Sequence, residues 1–186
     1  NYTKTSAEDM KKTALHEAGH LVVSEVLCPG SVGLASLRST GRDSTGGFIH
    51  RCKELSRRPY HVLVSLAGKA AVELYYSDTC ASGCQNDINR AFNIIREGLS
   101  ENATLGFGMI DVATNRFPNT SENMNSRNEA VTQAELERYM LITKDILLKN
   151  REFLEKATAA LIEKETLLYS DISILRDNTT ITEVAV

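Results

Sequence analysis

Residues 6–28 read SAEDMKKTALHEAGHLVVSEVLC, and this stretch contains the pattern of the first helix. Ser6 can cap a helix whose third position is the acidic Asp9. Apolar residues then recur at helical spacing until Pro29 and Gly30 end the pattern. The stretch therefore predicts a helix over residues 6–28, about five turns long.

Two histidines lie inside this predicted helix and one turn apart. His16 and His20 share a face, so both imidazoles can reach one metal ion, while Glu17 is turned toward the neighbouring edge of such a site. A solvated face that carries two histidines is the alternative. The stripe continues into Val23 and Leu27, which places the pair in register with apolar residues. Because buried imidazoles need partners, a shared metal ion is the favoured interpretation.

A hydrolytic zinc site usually has three protein ligands and leaves a fourth position to water, so a third ligand is needed. Asp87 falls on the predicted apolar face of its helix, one turn before Ala91. Helix capping is its alternative role, although Ser82 and Gln85 already form a capping box there. Spacing alone does not choose the third ligand among the acidic and histidine candidates Asp43, His50, His61, Glu73 and Asp87. Cys80 and Cys84 are further candidates, as softer ligands.

The rest of the chain predicts a mainly α protein with a small β-sheet, an α+β fold in one domain over residues 1–186. Short strands are expected at 32–37 and 48–52. A polar stretch without apolar periodicity predicts a loop over 112–129. Further helices are expected at 57–76, 83–100, 131–149 and 151–166, the last two meeting at Asn150 as a helix N-cap.

Composition excludes several function classes for these 186 residues. The net charge of -3 gives no basic footprint for nucleic acid. Apolar runs are too short for a membrane span, and the absence of a Walker-type phosphate loop predicts no ATP binding by these residues. Four sparse cysteines suggest reduced thiols, in the cytoplasm or on the equivalent reducing side of a membrane if the chain is part of a longer anchored protein.

Several segments resemble the peptidase domain of the FtsH-type, membrane-anchored, ATP-dependent zinc proteases. HEAGH at 16–20 is similar to that family's zinc helix, and LAGKAAVEL at 66–74 resembles its Gly-Arg-Ala-Ala-Glu-Glu helix. SGCQNDI at 82–88 resembles its Thr-Gly-Ala-x-Asn-Asp-Leu segment, and residues 150–154 and 161–167 resemble its C-terminal helices. The resemblance covers nearly the whole chain.

The resemblance implies a zincin-like fold and an endopeptidase for unfolded or extended polypeptides. It implies Zn2+ bound by His16, His20 and Asp87, Glu17 as general base, and a homo-hexamer. Two positions depart from the family pattern. Val72 replaces the first of two glutamates and leaves Glu73, as a second-sphere residue or alternative ligand, and Lys69 replaces an arginine.

A peptide substrate would bind extended, and the predicted strand at 48–52 is the simplest edge for backbone pairing. The segments 39–47 and 112–129 are expected at the rims of the cleft. A domain that keeps zinc and binds peptides with weak or no cleavage is the alternative function, because a shared fold does not establish activity.

Overall fold

A computed structural model describes residues 7–38, 46–76, 84–102 and 122–186. It has the predicted mainly α architecture with one small antiparallel sheet. Its helices are α1 (Ala7–Leu27), α2 (Arg58–Tyr75), α3 (Cys84–Asn102), α4 (Glu122–Lys149), α5 (Arg151–Lys164) and α6 (Tyr169–Asp177). Its strands are β1 (Val32–Ser36), β2 (Phe48–Arg51) and β3 (Thr166–Leu168). No helix within the described ranges is both long and apolar enough to cross a membrane.

Helix α1 runs through the centre of the molecule and packs on α2 and α5. Nearly every residue from Ala14 to Val26 is buried, so the helix exposes little surface over that stretch. It approaches α2 closely at Gly19, where an added Cβ would lie 2.5 Å from the carbonyl oxygen of Ala67 and 2.8 Å from the Cβ of Ala71. Small residues on both helices permit this short distance.

The described strands have the order β2-β1-β3, so β2 is at an edge of the sheet that the described residues form. β1 and β2, which match the two predicted strands, form an antiparallel pair with Ser36 opposite Phe48 and an irregularity between Val32 and Leu34. β3 was not predicted, because three residues are too few for alternation to stand out. The helix expected to reach residue 166 ends at Lys164, since Glu165 adopts a left-handed conformation (φ 58°) and the chain continues as β3.

The polar loop predicted over 112–129 is wrong for residues 122–129, which are helical. The helix predicted to start at 131 therefore starts earlier. The helix begins at Glu122, and residues 112–121 lie outside the described ranges. Residues 126–130 are largely exposed, so this part of α4 buries no apolar stripe and leaves no periodic signal in the sequence. Apolar periodicity therefore placed the start of α4 about two turns too late.

Asn150 separates α4 from α5, but its side chain does not cap α5 as predicted. Its amide nitrogen instead donates hydrogen bonds to the carbonyl oxygens of Ile146 and Thr182, at 2.9 and 3.0 Å. Its amide oxygen accepts one from the Thr182 backbone N–H at 2.8 Å. The residue therefore fixes the C-terminal segment to the helix junction.

Glu25 is a fully buried acid near the end of α1. Its carboxylate accepts hydrogen bonds from the backbone N–H groups of Gly30 (2.8 Å) and Val32 (2.9 Å), and Arg176 of α6 donates a third at 2.9 Å. Gly30 has a φ of 76°, a conformation that favours glycine. The buried carboxylate thus connects the turn after α1 to α6.

We expect Arg176→Met to lower the free energy of unfolding by about 3 kcal/mol, because it leaves the buried Glu25 without its cation. Urea unfolding measures the change. Arg38→Met is the matched control, since Arg38 and Glu165 form an exposed pair, and its expected loss is below about 1 kcal/mol. Equal losses in the two variants would contradict a structural role for the buried pair.

Candidate metal centre

Helix α1 and the first turn of α3 bring three ligand atoms together. His16 Nε2 and His20 Nε2 are 3.0 Å apart, and Asp87 Oδ2 lies 3.1 Å from the first and 3.2 Å from the second. The three side chains form the one group of metal-ligand type found among the described residues. Asp87 thus lies beside the histidine pair, as its position on the predicted apolar face suggested.

The triangle of donor atoms fits a small divalent cation. Ligand atoms around a tetrahedral zinc ion lie about 3.3–3.4 Å apart when the bonds are about 2.0–2.1 Å long, slightly more than the distances observed here. Two imidazole nitrogens and one carboxylate oxygen are also a donor set that zinc prefers. All three residues line one cleft, so the centre is open to solvent and to a substrate.

Helix α2 orients both imidazoles from behind. His20 Nδ1 lies 2.7 Å from the carbonyl oxygen of Val64, which can only accept, so Nδ1 carries the hydrogen and Nε2 presents a lone pair to the centre. His16 packs directly on Gly68, where an added Cβ would collide with the imidazole ring. Cys84 Sγ lies 3.8 Å from Nδ1 of the same ring.

The electrostatics of the cluster favour a cation. Burial disfavours the charged form of Asp87, but hydrogen bonds to His16 and His20 hold the pKa of its carboxyl well below the usual range. Burial likewise opposes protonation of His20, yet the hydrogen bond and charge of Asp87 raise its pKa. A site that stabilises a bound proton in this way also stabilises a metal ion at the same atoms.

Glu17 lies beside the triangle and is buried, with 5% of its surface exposed. Burial raises the pKa of its carboxyl, and the neighbouring histidines partly oppose this effect. Gly47, just before β2, packs against the Glu17 side chain so closely that an added Cβ would lie 2.6 Å from Glu17 Cγ. The strand and the helix together fix this carboxyl at the wall of the cleft.

The other predicted ligands stand apart from the triangle. Glu73 binds Lys69 at 2.6 Å and Lys144 at 2.8 Å, so it joins α2 to α4. His50 and His61 line the cleft, and His61 Nε2 bonds to the Leu55 carbonyl at 3.2 Å. Cys84 contacts the far nitrogen of His16 and is not in the group of ligand atoms. Asp43 and Cys80 lie outside the described residues.

The cleft has a volume of about 790 Å³ and is walled by α1, α2, α3 and β2. Phe48, Ile49, His50 and Arg51 of β2 line it, next to His16 and Glu17. Among the described residues β2 is an edge strand, and a strand edge beside a cleft is the kind of surface to which extended peptides pair. Of the expected rims, Gly46 and Gly47 line the cleft, while 39–45 and 112–121 lie outside the described ranges.

Sequence reasoning missed the residues that support the centre from behind: Val64, Gly68 and Gly47. The spacing of Val64 and Gly68, one turn apart on α2, was available in the sequence. Their role was not, because a backbone carbonyl leaves no side-chain signal and a glycine inside a helix does not reveal which neighbour packs against it.

Two histidines one turn apart on a buried helix, a carboxylate from a second helix and a buried glutamate beside them define a candidate metal-dependent hydrolase. The chain matches the sequence model of peptidase family M41 over residues 3–175 and belongs to that family.

Curated relatives of similar sequence are ATP-dependent zinc metalloproteases of the FtsH type. The protein of Thermomicrobium roseum is 29% identical over 94% of this chain, and that of Thermus thermophilus is 30% identical over 87%. That of Thermotoga maritima is 30% identical over 87% of the chain. The chain spans 28–30% of the length of these three relatives.

We expect Gly68→Ala to destabilise the fold by about 1–3 kcal/mol, because the new methyl group collides with the His16 ring and overpacking outweighs the gain in helix propensity. Gly46→Ala is the matched control, since an added Cβ there meets no atom within 4 Å, and its expected change is within about 0.5 kcal/mol. Urea unfolding without added metal compares them. A Gly68→Ala variant as stable as the parent would show that the ring can move aside freely.

Proposed function

We propose that this chain is a zinc-dependent endopeptidase domain that hydrolyses peptide bonds in extended polypeptides. The observation that carries the proposal is the triangle of His16, His20 and Asp87 with the buried Glu17 beside it. Membership in a peptidase family and the zinc metalloproteases among the relatives support it.

In this proposal His16, His20 and Asp87 hold the zinc ion. Bound zinc would polarise the scissile carbonyl and lower the pKa of a water molecule. Glu17 acts as the general base: it takes a proton from the attacking water molecule and passes that proton to the leaving amine.

The substrate is proposed to bind as an added strand on β2. Backbone hydrogen bonds would hold the peptide independently of its sequence, and the scissile bond would lie over the centre beside Glu17. The edge position of β2 and its place in the wall of the cleft support this mode of binding.

The two departures from the family pattern do not disturb the centre, which favours the enzyme over a non-cleaving peptide-binding domain. Val72 is buried in the hydrophobic core, and Lys69 is paired with Glu73. Neither is among the residues that line the cleft. Glu17, the residue that a non-cleaving relative would have least reason to retain, is present.

We expect Glu17→Gln to lower kcat at least about 100-fold, because the amide cannot accept the proton, while the zinc content stays unchanged. Cleavage of unfolded casein and elemental analysis measure the two quantities. Glu8→Gln is the control, an exposed glutamate on the same helix that pairs with Lys12. Undiminished casein cleavage by Glu17→Gln would exclude Glu17 as the base.

We expect Asp87→Asn to lose zinc on dialysis at a chelator concentration that leaves the parent loaded, since an anionic oxygen ligand is removed. Glu73→Gln should retain its zinc, because Glu73 is paired with two lysines away from the triangle. Elemental analysis after dialysis compares the variants. The reverse result would make Glu73 the third ligand.

A further inference from the structure

Arg51 is a charged residue in the wall of the cleft for which the proposed reaction has no use. It is the last residue of β2 and is partly buried. Its Nη1 atom is shielded from solvent and has no hydrogen-bond partner. A buried polar nitrogen without an acceptor is unfavourable, and in a binding cleft it indicates a missing anionic or carbonyl partner.

A second guanidinium lies near the first. Arg90 is on α3, one turn after Asp87, and lines the same cleft. Burial and the charge of Arg90 both lower the pKa of Arg51. Arg51 is partly buried and Arg90 is exposed. Their positive charges repel each other, and a bound anion would relieve that repulsion.

The remaining charges do not neutralise this pair. Glu54 attracts Arg51, but no carboxylate in the described ranges forms an ion pair with Arg51 or Arg90. Asp87 already contacts both imidazoles. Lys12 and Lys53 also line the cleft and add to the positive potential.

We propose that Arg51 and Arg90 form a subsite that binds an acidic side chain of the polypeptide substrate, so the domain prefers Asp or Glu near the scissile bond. This inference rests on the proposed function and specifies its substrate class. A strand added to β2 places its side chains opposite those of β2, so one of them lies beside Arg51. The planar guanidinium matches a carboxylate with two parallel hydrogen bonds.

Matched peptides test the subsite. Each is acetylated and amidated, carries a fluorophore and a quencher, and has Glu, Gln or Lys at one position that is scanned along an otherwise neutral sequence. We expect the zinc-loaded parent to cleave the best Glu peptide with a kcat/KM about tenfold or more above that of its Gln counterpart. Arg51→Gln should remove this preference, and Arg51→Glu should invert it in favour of Lys. Arg38→Gln, an exposed arginine paired with Glu165, should keep it.

Binding provides a readout that does not depend on turnover. Fluorescence polarisation of the same peptides without quencher, on the Glu17→Gln variant, should give about a tenfold lower Kd for Glu than for Gln. The double variant Glu17→Gln/Arg51→Gln should show no difference. Urea unfolding verifies that each variant is folded, and Arg51→Lys, which keeps the charge but not the planar fork, should show a reduced preference.

The outcomes separate this inference from the proposed function. Cleavage of Glu and Gln peptides with equal kcat/KM, and equal Kd values on Glu17→Gln, would overturn the acidic subsite and leave the peptidase intact. No cleavage by the zinc-loaded parent, with a Kd preference for Glu, would overturn the peptidase and support the subsite. The Gln peptide is also made with a free C-terminal carboxylate in place of the amide. A preference for that form, with equal values for the amidated Glu and Gln peptides, would overturn the side-chain assignment, because the arginines would then recognise a chain end.

Discussion

The close packing of α2 against α1 holds the candidate centre in place. Gly19 allows the two backbones to approach until an added Cβ would lie 2.5 Å from the carbonyl oxygen of Ala67. At that separation the Val64 carbonyl reaches His20 Nδ1, and Gly68 supports the ring of His16. One face of α2, repeating at intervals of three and four residues, therefore sets the orientation of both imidazoles. A wider separation of the helices would leave both rings without that support.

The sequence predicted the part of this arrangement that depends on local spacing. A histidine pair one turn apart lies on one face of any helix that contains it, so His16 and His20 were accessible from residues 6–28 alone. The sequence did not fix Asp87 as the third ligand in the same way, because spacing left Glu73 and other residues as alternatives. Its position depends on how the first turn of α3 meets α1, a long-range contact that no local pattern encodes. Its place on the predicted apolar face favoured Asp87 over the other candidates, and the family resemblance then singled it out.

The errors in the predicted fold have a common cause. Apolar periodicity reports burial, so it fails where a regular element buries little. Residues 126–130 of α4 are largely exposed, and β3 is a three-residue strand held by its pairing with β1. Asn150 shows a related limit: its type is suitable for a helix cap, but Thr182, distant in sequence, supplies competing hydrogen bonds. For β3 and Asn150, tertiary contacts determined the structure that the local sequence left open.

The two buried glutamates of α1 show how the same residue type acquires different roles on one helix. Glu25 accepts hydrogen bonds from two backbone amides and Arg176, so both of its carboxylate oxygens are already engaged by donors. Glu17 faces histidines and the backbone at Gly47, and no described group donates a hydrogen bond to its carboxylate. A base must exchange protons during each turnover, which requires lone pairs that are not already engaged. Glu17 meets that condition and Glu25 does not. The partners around each carboxylate, more than burial itself, therefore distinguish the catalytic candidate from the structural acid.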